Sequence, residues 1–107
     1  VKRSLEIQPL ADQDLDEIAD YIAQDNLDAS LRFLRAAELT FDFLTEMPLA
    51  GVSCSDTFES SQARELRLWR VKGFSNYQIL YRVTDSQLLI VRVIHAARDV
   101  KSMMDSE

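Results

Sequence analysis

A chain of 107 residues, 47% hydrophobic and 28% charged, is long enough for one globular domain with a real core and too short for two. Its single cysteine, Cys54, rules out an intramolecular disulfide and a cysteine-based metal site, no apolar run nears the ~20 residues of a membrane helix, and no signal-peptide pattern is present; a reducing cytoplasm is the expected setting. The net charge of −6 is uneven, with 13 acids and 4 bases in residues 1–63 against 5 acids and 8 bases in residues 64–107, which argues against broad wrapping of nucleic acid and assigns any anion contact to the second half.

Residues 3–8 alternate enough to predict a first strand, with Leu5 and Ile7 facing the core. Pro9 suits the first turn of a helix, where its missing N–H costs nothing. From there to Asp25, Leu15, Ile18, Ala19 and Ile22 recur at three-and-four spacing, Tyr21 widens the apolar stripe, and Asp12, Asp14, Asp16, Glu17 and Asp20 take the other face. Asp12, Asp16 and Asp20 are one turn apart, yet acids early in a helix favour its dipole and no histidine accompanies them. A solvated acidic face is therefore expected, with no metal and no cofactor.

Asp25-Asn26-Leu27-Asp28 is a turn in which Asn26 or Asp28 can cap the next helix. Over residues 29–47, Ser30, Phe33, Leu34, Ala36, Ala37, Thr40, Phe41, Phe43, Leu44 and Met47 cover about half the circumference, wide enough to touch both a sheet and the first helix. Leu31 and Leu39 fall instead among Arg32, Arg35, Glu38 and Asp42, either as the scattered exposed leucines common on surfaces or as side chains that a partner covers. Pro48 ends the helix. Residues 50–62 read as a loop, and Cys54 has no neighbouring base or cation that would make it a nucleophile.

Three strands follow. Residues 64–71 form the first, residues 72–76 a connection whose Gly73 and Asn76 suit a hairpin, and residues 77–84 the second, with Tyr77, Ile79, Tyr81 and Val83 on one face and Gln78, Leu80 and Arg82 on the other. After a short turn at Asp85-Ser86, residues 87–95 are nearly all apolar, as in an interior strand covered on both faces. Residues 96–104 suit a short helix or tail. The predicted fold is α+β, in the order β-α-α-β-β-β: an antiparallel helix hairpin packed on a small, mainly antiparallel sheet with a short C-terminal helix or tail. Arg82 and Arg92 sit at strand edges or, with Arg64, Arg67 and Arg70, make a basic sheet face; His95 reads as a packed strand-end histidine before a catalytic base.

The runs Val71-Lys72-Gly73-Phe74-Ser75-Asn76-Tyr77, Ile79-Leu80-Tyr81-Arg82-Val83 and Ile90 to His95 followed by Ala96-Ala97-Arg98-Asp99 resemble the C-terminal half of the RelE/ParE toxin superfamily, the ParE-like plasmid-stabilisation branch above all. The likeness extends back through both helices to the first strand. It implies the toxin of a type II toxin–antitoxin system, with a cognate antitoxin as partner, growth inhibition as outcome and operator DNA reached only through the antitoxin. ParE-like members are described as non-enzymatic inhibitors of DNA gyrase, RelE-like members as ribosome-dependent mRNA endonucleases. Lys72 and Arg98 match two basic positions of the nuclease pattern, with Arg82 as a further candidate, but Gln78 stands where a base is expected and Met104 near an expected aromatic. Those departures favour gyrase over the ribosome and mRNA; a relic of the fold that binds without toxicity is the remaining alternative. The residues assigned to the target are Lys72, Arg82, Arg92, His95 and Arg98, and those assigned to the antitoxin are Leu31, Arg35 and Leu39. Without the resemblance, Arg98 and Asp99 read equally well as an ion-paired anchor for the tail.

Overall fold

The computed structural model describes residues 2–54 and 66–96. Strand β1 (Ser4–Ile7) leads into α1 (Pro9–Ala23) and α2 (Leu27–Glu46), followed by β2 (Val52–Ser53), β3 (Leu66–Val71), β4 (Phe74–Val83) and β5 (Gln87–His95). The five strands make one sheet in the order β1-β5-β4-β3-β2, with β1 parallel to β5 and every other pair antiparallel. The predicted α+β architecture and element order hold, and β5 is an interior strand as its apolar run implied. The predicted tail at 96–104, with Arg98 and Asp99, lies outside the described residues except for Ala96.

Local chemistry accounts for the element ends. Pro9 opens α1 at its first position. The Asn26 side chain accepts the Ala29 N–H at 3.0 Å and caps α2. Ser30 belongs to the apolar stripe because its hydroxyl donates to the Ala19 carbonyl at 2.6 Å and ties the helices where they cross. Phe33, Ala37, Phe41 and Leu44 of α2 and Ala11 and Leu15 of α1 then meet Val71, Ile79, Tyr81, Leu88, Ile90 and Val93 of the sheet. Phe33 meets Phe74 and Tyr77 edge-on, both at 5.3 Å. Large side chains buried this fully stabilise by ~1.5–3 kcal/mol each. The opposite sheet face carries a smaller cluster of Cys54, Leu66 and Leu80.

Several expectations need correction. Leu5 and Ile7 stay exposed, because β1 is an edge strand of four residues. Tyr21 is 61% exposed and does not widen the buried stripe; Leu34 and Phe43 on α2 and Met47 at its C-cap are also exposed. The β3–β4 connection is Lys72-Gly73 alone, since Gly73 takes φ +80°, which turns the chain in two residues, and Phe74 is drawn into the strand by its packing on Phe33. Within the predicted loop, Val52 and Ser53 pair with Leu68 and Arg67. Asp14 is not on a solvated face: it is buried.

Candidate functional site

Leu39 and Phe43 lie one helical turn apart on α2 and share a flank of the helix. That flank faces β3, where Trp69 alternates with Leu68 and Arg70 and so points to the helix side. Phe43 and Trp69 stack, ring centroids 5.8 Å apart and planes 24° from parallel. Between them and the Lys72-Gly73 turn runs a groove of about 560 Å³, lined also by Thr40 and Arg70. The Thr40 hydroxyl donates to the Ala36 carbonyl at 2.7 Å and accepts the Lys72 N–H at 3.3 Å, which pins the turn to α2. Leu39, half exposed, and Lys72 were assigned to different partners from the sequence; they line one groove.

One wall of this groove is a strand edge. Pairing of β2 with β3 reaches only Leu68, while β3 continues through Trp69, Arg70 and Val71. Ahead of β2 the chain turns away at Gly51, whose N–H donates to the Tyr81 hydroxyl at 2.9 Å while that hydroxyl donates to the Pro48 carbonyl at 2.7 Å. Arg67 donates to the Gly51 carbonyl at 2.7 Å. No Cβ fits at Gly51, since it would crowd the Tyr81 ring and come within 2.9 Å of the Leu68 carbonyl. Among the described residues, Trp69–Val71 therefore forms the outermost strand at that end of the sheet.

The other candidates lie elsewhere. Arg92 donates through Nε and Nη2 to the two oxygens of Asp14 at 2.7 and 2.9 Å. The ring of His95 meets Tyr77 edge-on at 5.5 Å, and both line a separate hollow of about 360 Å³ with Glu17 and Tyr21. Arg82 is on the sheet face opposite the helices, near the far end of β4 from the Lys72 turn. The eight residue steps of strand from Phe74 to Arg82 span roughly 25 Å at ~3.3 Å each. Leu31, Arg35 and Leu39 form one exposed ridge along α2 at four-residue steps, of which Leu39 alone lines the groove. Arg98 lies outside the described residues.

Burial raises the Cys54 thiol pKa, offset in part by Arg67, so the thiol is not poised as a nucleophile. Burial likewise raises the Tyr81 phenol, against the opposing pull of the Gly51 hydrogen bond. Among the described residues no three acidic, histidine or cysteine groups converge on a metal position, and no helix is long and apolar enough to cross a membrane. Sequence reading passed over Phe43, Trp69 and Asp14. The four-residue step from Leu39 to Phe43 signalled the first; nothing local signalled the last, whose partner is 78 residues away.

A two-helix hairpin laid on a mixed, mostly antiparallel five-stranded sheet is the fold of the ParE and RelE toxins. One chain of the chromosomal ParDE toxin–antitoxin system from P. aeruginosa is 19% identical with a TM-score of 0.68, the match covering 88% of this chain and 96% of that one. A chain of the RelBE2 toxin–antitoxin complex from Mycobacterium tuberculosis is 23% identical with a TM-score of 0.55, covering 89% of this chain and 99% of that one. No curated protein sequence matches. Residues 5–100 match the family described as ParE toxin of the type II toxin–antitoxin system parDE, and the chain belongs to that family. It is a type II toxin–antitoxin toxin of the ParE/RelE kind.

Proposed function

We propose that this toxin acts in the cytoplasm by binding DNA gyrase, without cutting RNA, and that a cognate antitoxin holds it inactive. The observation that supports the reading is the separation of the sheet-half cations among the described residues. Lys72 lies at one end of β4 beside an apolar groove, Arg82 near the other end on the opposite face, and Arg92 is held by Asp14. Stabilising a single scissile phosphate needs donors within about 3 Å of it, and groups ~25 Å apart cannot share one. Gln78, opposite Arg70 and Ile94 in the sheet, supplies no charge where the nuclease pattern has a base. A groove walled by Leu39, Phe43 and Trp69 suits a protein surface better than a phosphate chain. We assign target contact to Lys72, Arg82, His95 and Arg98, and antitoxin contact to the α2 ridge of Leu31, Arg35 and Leu39.

The test is a pair of assays on the purified chain. Inhibition of supercoiling by purified gyrase, relieved by the antitoxin, is the expected result. Codon-positioned cuts in mRNA on ribosomes, with gyrase unaffected, would replace this reading with the nuclease one. Growth unaffected by expression without antitoxin would leave only a non-toxic binding protein.

A further inference from the structure

The outer side of β1 is an open strand edge, and its hydrogen bonds fix which backbone groups it offers. Ser4 donates its N–H to the Ser86 carbonyl at 3.1 Å and Gln8 donates to the Ile90 carbonyl at 2.9 Å, so the even-numbered residues turn toward β5. Direction alternates along a strand, which sends the N–H and C=O of Leu5 and Ile7 outward. Both residues are exposed. The offer ends there, because the Arg3 N–H is taken by the Thr45 carbonyl at 3.3 Å and Pro9 has no N–H.

A second copy of this chain carries the same edge, and a two-fold axis would set the two strands antiparallel. Leu5 and Ile7 of both copies are all used only when Leu5 of each stands opposite Ile7 of the other. A shift of one residue puts the bonding groups out of phase, and a shift of two leaves one closed pair. The full register sets Glu6 directly opposite Glu6, in the pair without hydrogen bonds, where Cα atoms come within ~4.5 Å. Glu6 lies on the sheet face away from the helices, since its partner Leu89 alternates with the core residues Leu88 and Ile90. It is exposed and, among the described residues, has no ion pair. We propose that Glu6 decides what this edge can pair with: its carboxylate repels the same edge of a second copy, and β1 stays single although Leu5 and Ile7 offer bonding groups and apolar side chains. Like charges directly opposite one another destabilise a ladder, and a charge on an edge strand is a common guard against pairing between molecules.

The test is a charge swap on the full chain, read by sedimentation and by hydrogen exchange at the Leu5 and Ile7 amides. It needs neither gyrase nor antitoxin, so its outcome is separate from the toxin reading. The parent and Glu6→Lys each sediment as single copies when alone, because each faces like with like. An equimolar mixture of the two associates, and those two amides exchange at least about tenfold more slowly in it than in either chain alone. Glu6→Thr, which removes the charge and favours a strand, associates with itself and shows the same protection. Glu6→Gln, nearly unchanged in shape, does likewise and covers the case of a variant whose circular dichroism shows it unfolded. Parent chains whose Leu5 and Ile7 amides gain protection as concentration rises overturn the proposal, because the charge then fails to keep copies apart. A mixture and a neutral variant that stay single also overturn it, since something other than Glu6 then closes the edge. Association that leaves those amides unprotected does the same, because the contact then lies elsewhere.

Discussion

Asp14 on α1 holds Arg92 on β5 with both carboxylate oxygens, and one of them, Oδ2, also accepts the Val93 N–H at 3.0 Å. The reason lies in strand lengths. β1 pairs with β5 only from Gln87 to Ile90, so the second half of β5 would present an open edge. The chain leaving β1 bonds once more, Gln8 N–H to the Ile90 carbonyl at 2.9 Å, and then α1 lies along that edge with Asp14 in place of the missing strand. A helix carboxylate thus finishes the sheet.

Asp14→Ala is expected to cost ~2–3 kcal/mol, at the lower end for a broken buried pair because Arg92 keeps 29% of its side-chain surface in water. Arg92→Ala should cost less, since Asp14 keeps the Val93 N–H. Urea unfolding of both single variants and the double variant measures the coupling, and additive losses would show that the pair does not act as a unit.

Tyr81→Phe removes the hydroxyl that bridges Pro48 and Gly51 and should cost ~1–2 kcal/mol, leaving the Gly51 N–H without its partner. The melting temperature should fall with the fold retained.

Gly51→Ala should destabilise by ~1–3 kcal/mol, because the added methyl group meets the Leu68 carbonyl and the Tyr81 ring together. Combining it with Tyr81→Phe should recover little, since the ring edge and the carbonyl remain. Full recovery in the double variant would mean that the hydroxyl alone forbids a side chain at this position.

Stability should decline in alkali. Cys54 and Tyr81 both have pKa values raised above their ordinary 9.0 and 10.0 by burial. Each therefore contributes fully below its unfolded value and loses that contribution as pH climbs through its folded one. Thermal unfolding from about pH 8 upward should show a falling melting temperature, with the slope reduced in Cys54→Ala. A thiol reagent should label Cys54 slowly in the native chain and quickly in urea.

Leu39→Asp should weaken antitoxin binding at least tenfold, and more than Leu31→Asp, because only Leu39 lines the groove. Calorimetry on the two variants ranks them. Equal losses would spread the contact along the whole α2 ridge.

The sequence was most legible where one pattern had one cause. Residues 87–95 were bounded as the strand is, because a nearly continuous apolar run flanked by a turn has few other solutions. The turn at Asp25–Asp28 offered Asn26 and Asp28 as caps, and the structure uses Asn26. Phe74 was misplaced because Ser75 and Asn76 beside it carry turn chemistry, and only a contact with Phe33, forty-one positions earlier, recruits it into β4. Tyr21 and Leu5 were turned inward because periodicity identifies an apolar face without saying what covers it. Of the candidate site, Leu39 and Lys72 were named individually, but their meeting depends on Thr40 holding the hairpin turn, which is tertiary structure.

The parallel pairing of β1 with β5 sets a timetable for synthesis. Ser4 is matched to Gln87 and Ile7 to Ile90, so the first strand made must wait for the last before it has a neighbour. At ~5–20 residues per second the ribosome needs about 4 to 17 seconds to cover that gap. The helix hairpin, whose contacts are nearer in sequence, can fold in the meantime. The sheet closes only after Gln87–Ile90 have been made, and the nascent chain carries its unclosed strands exposed until then, a window in which an antitoxin already made can meet the toxin before its fold is complete.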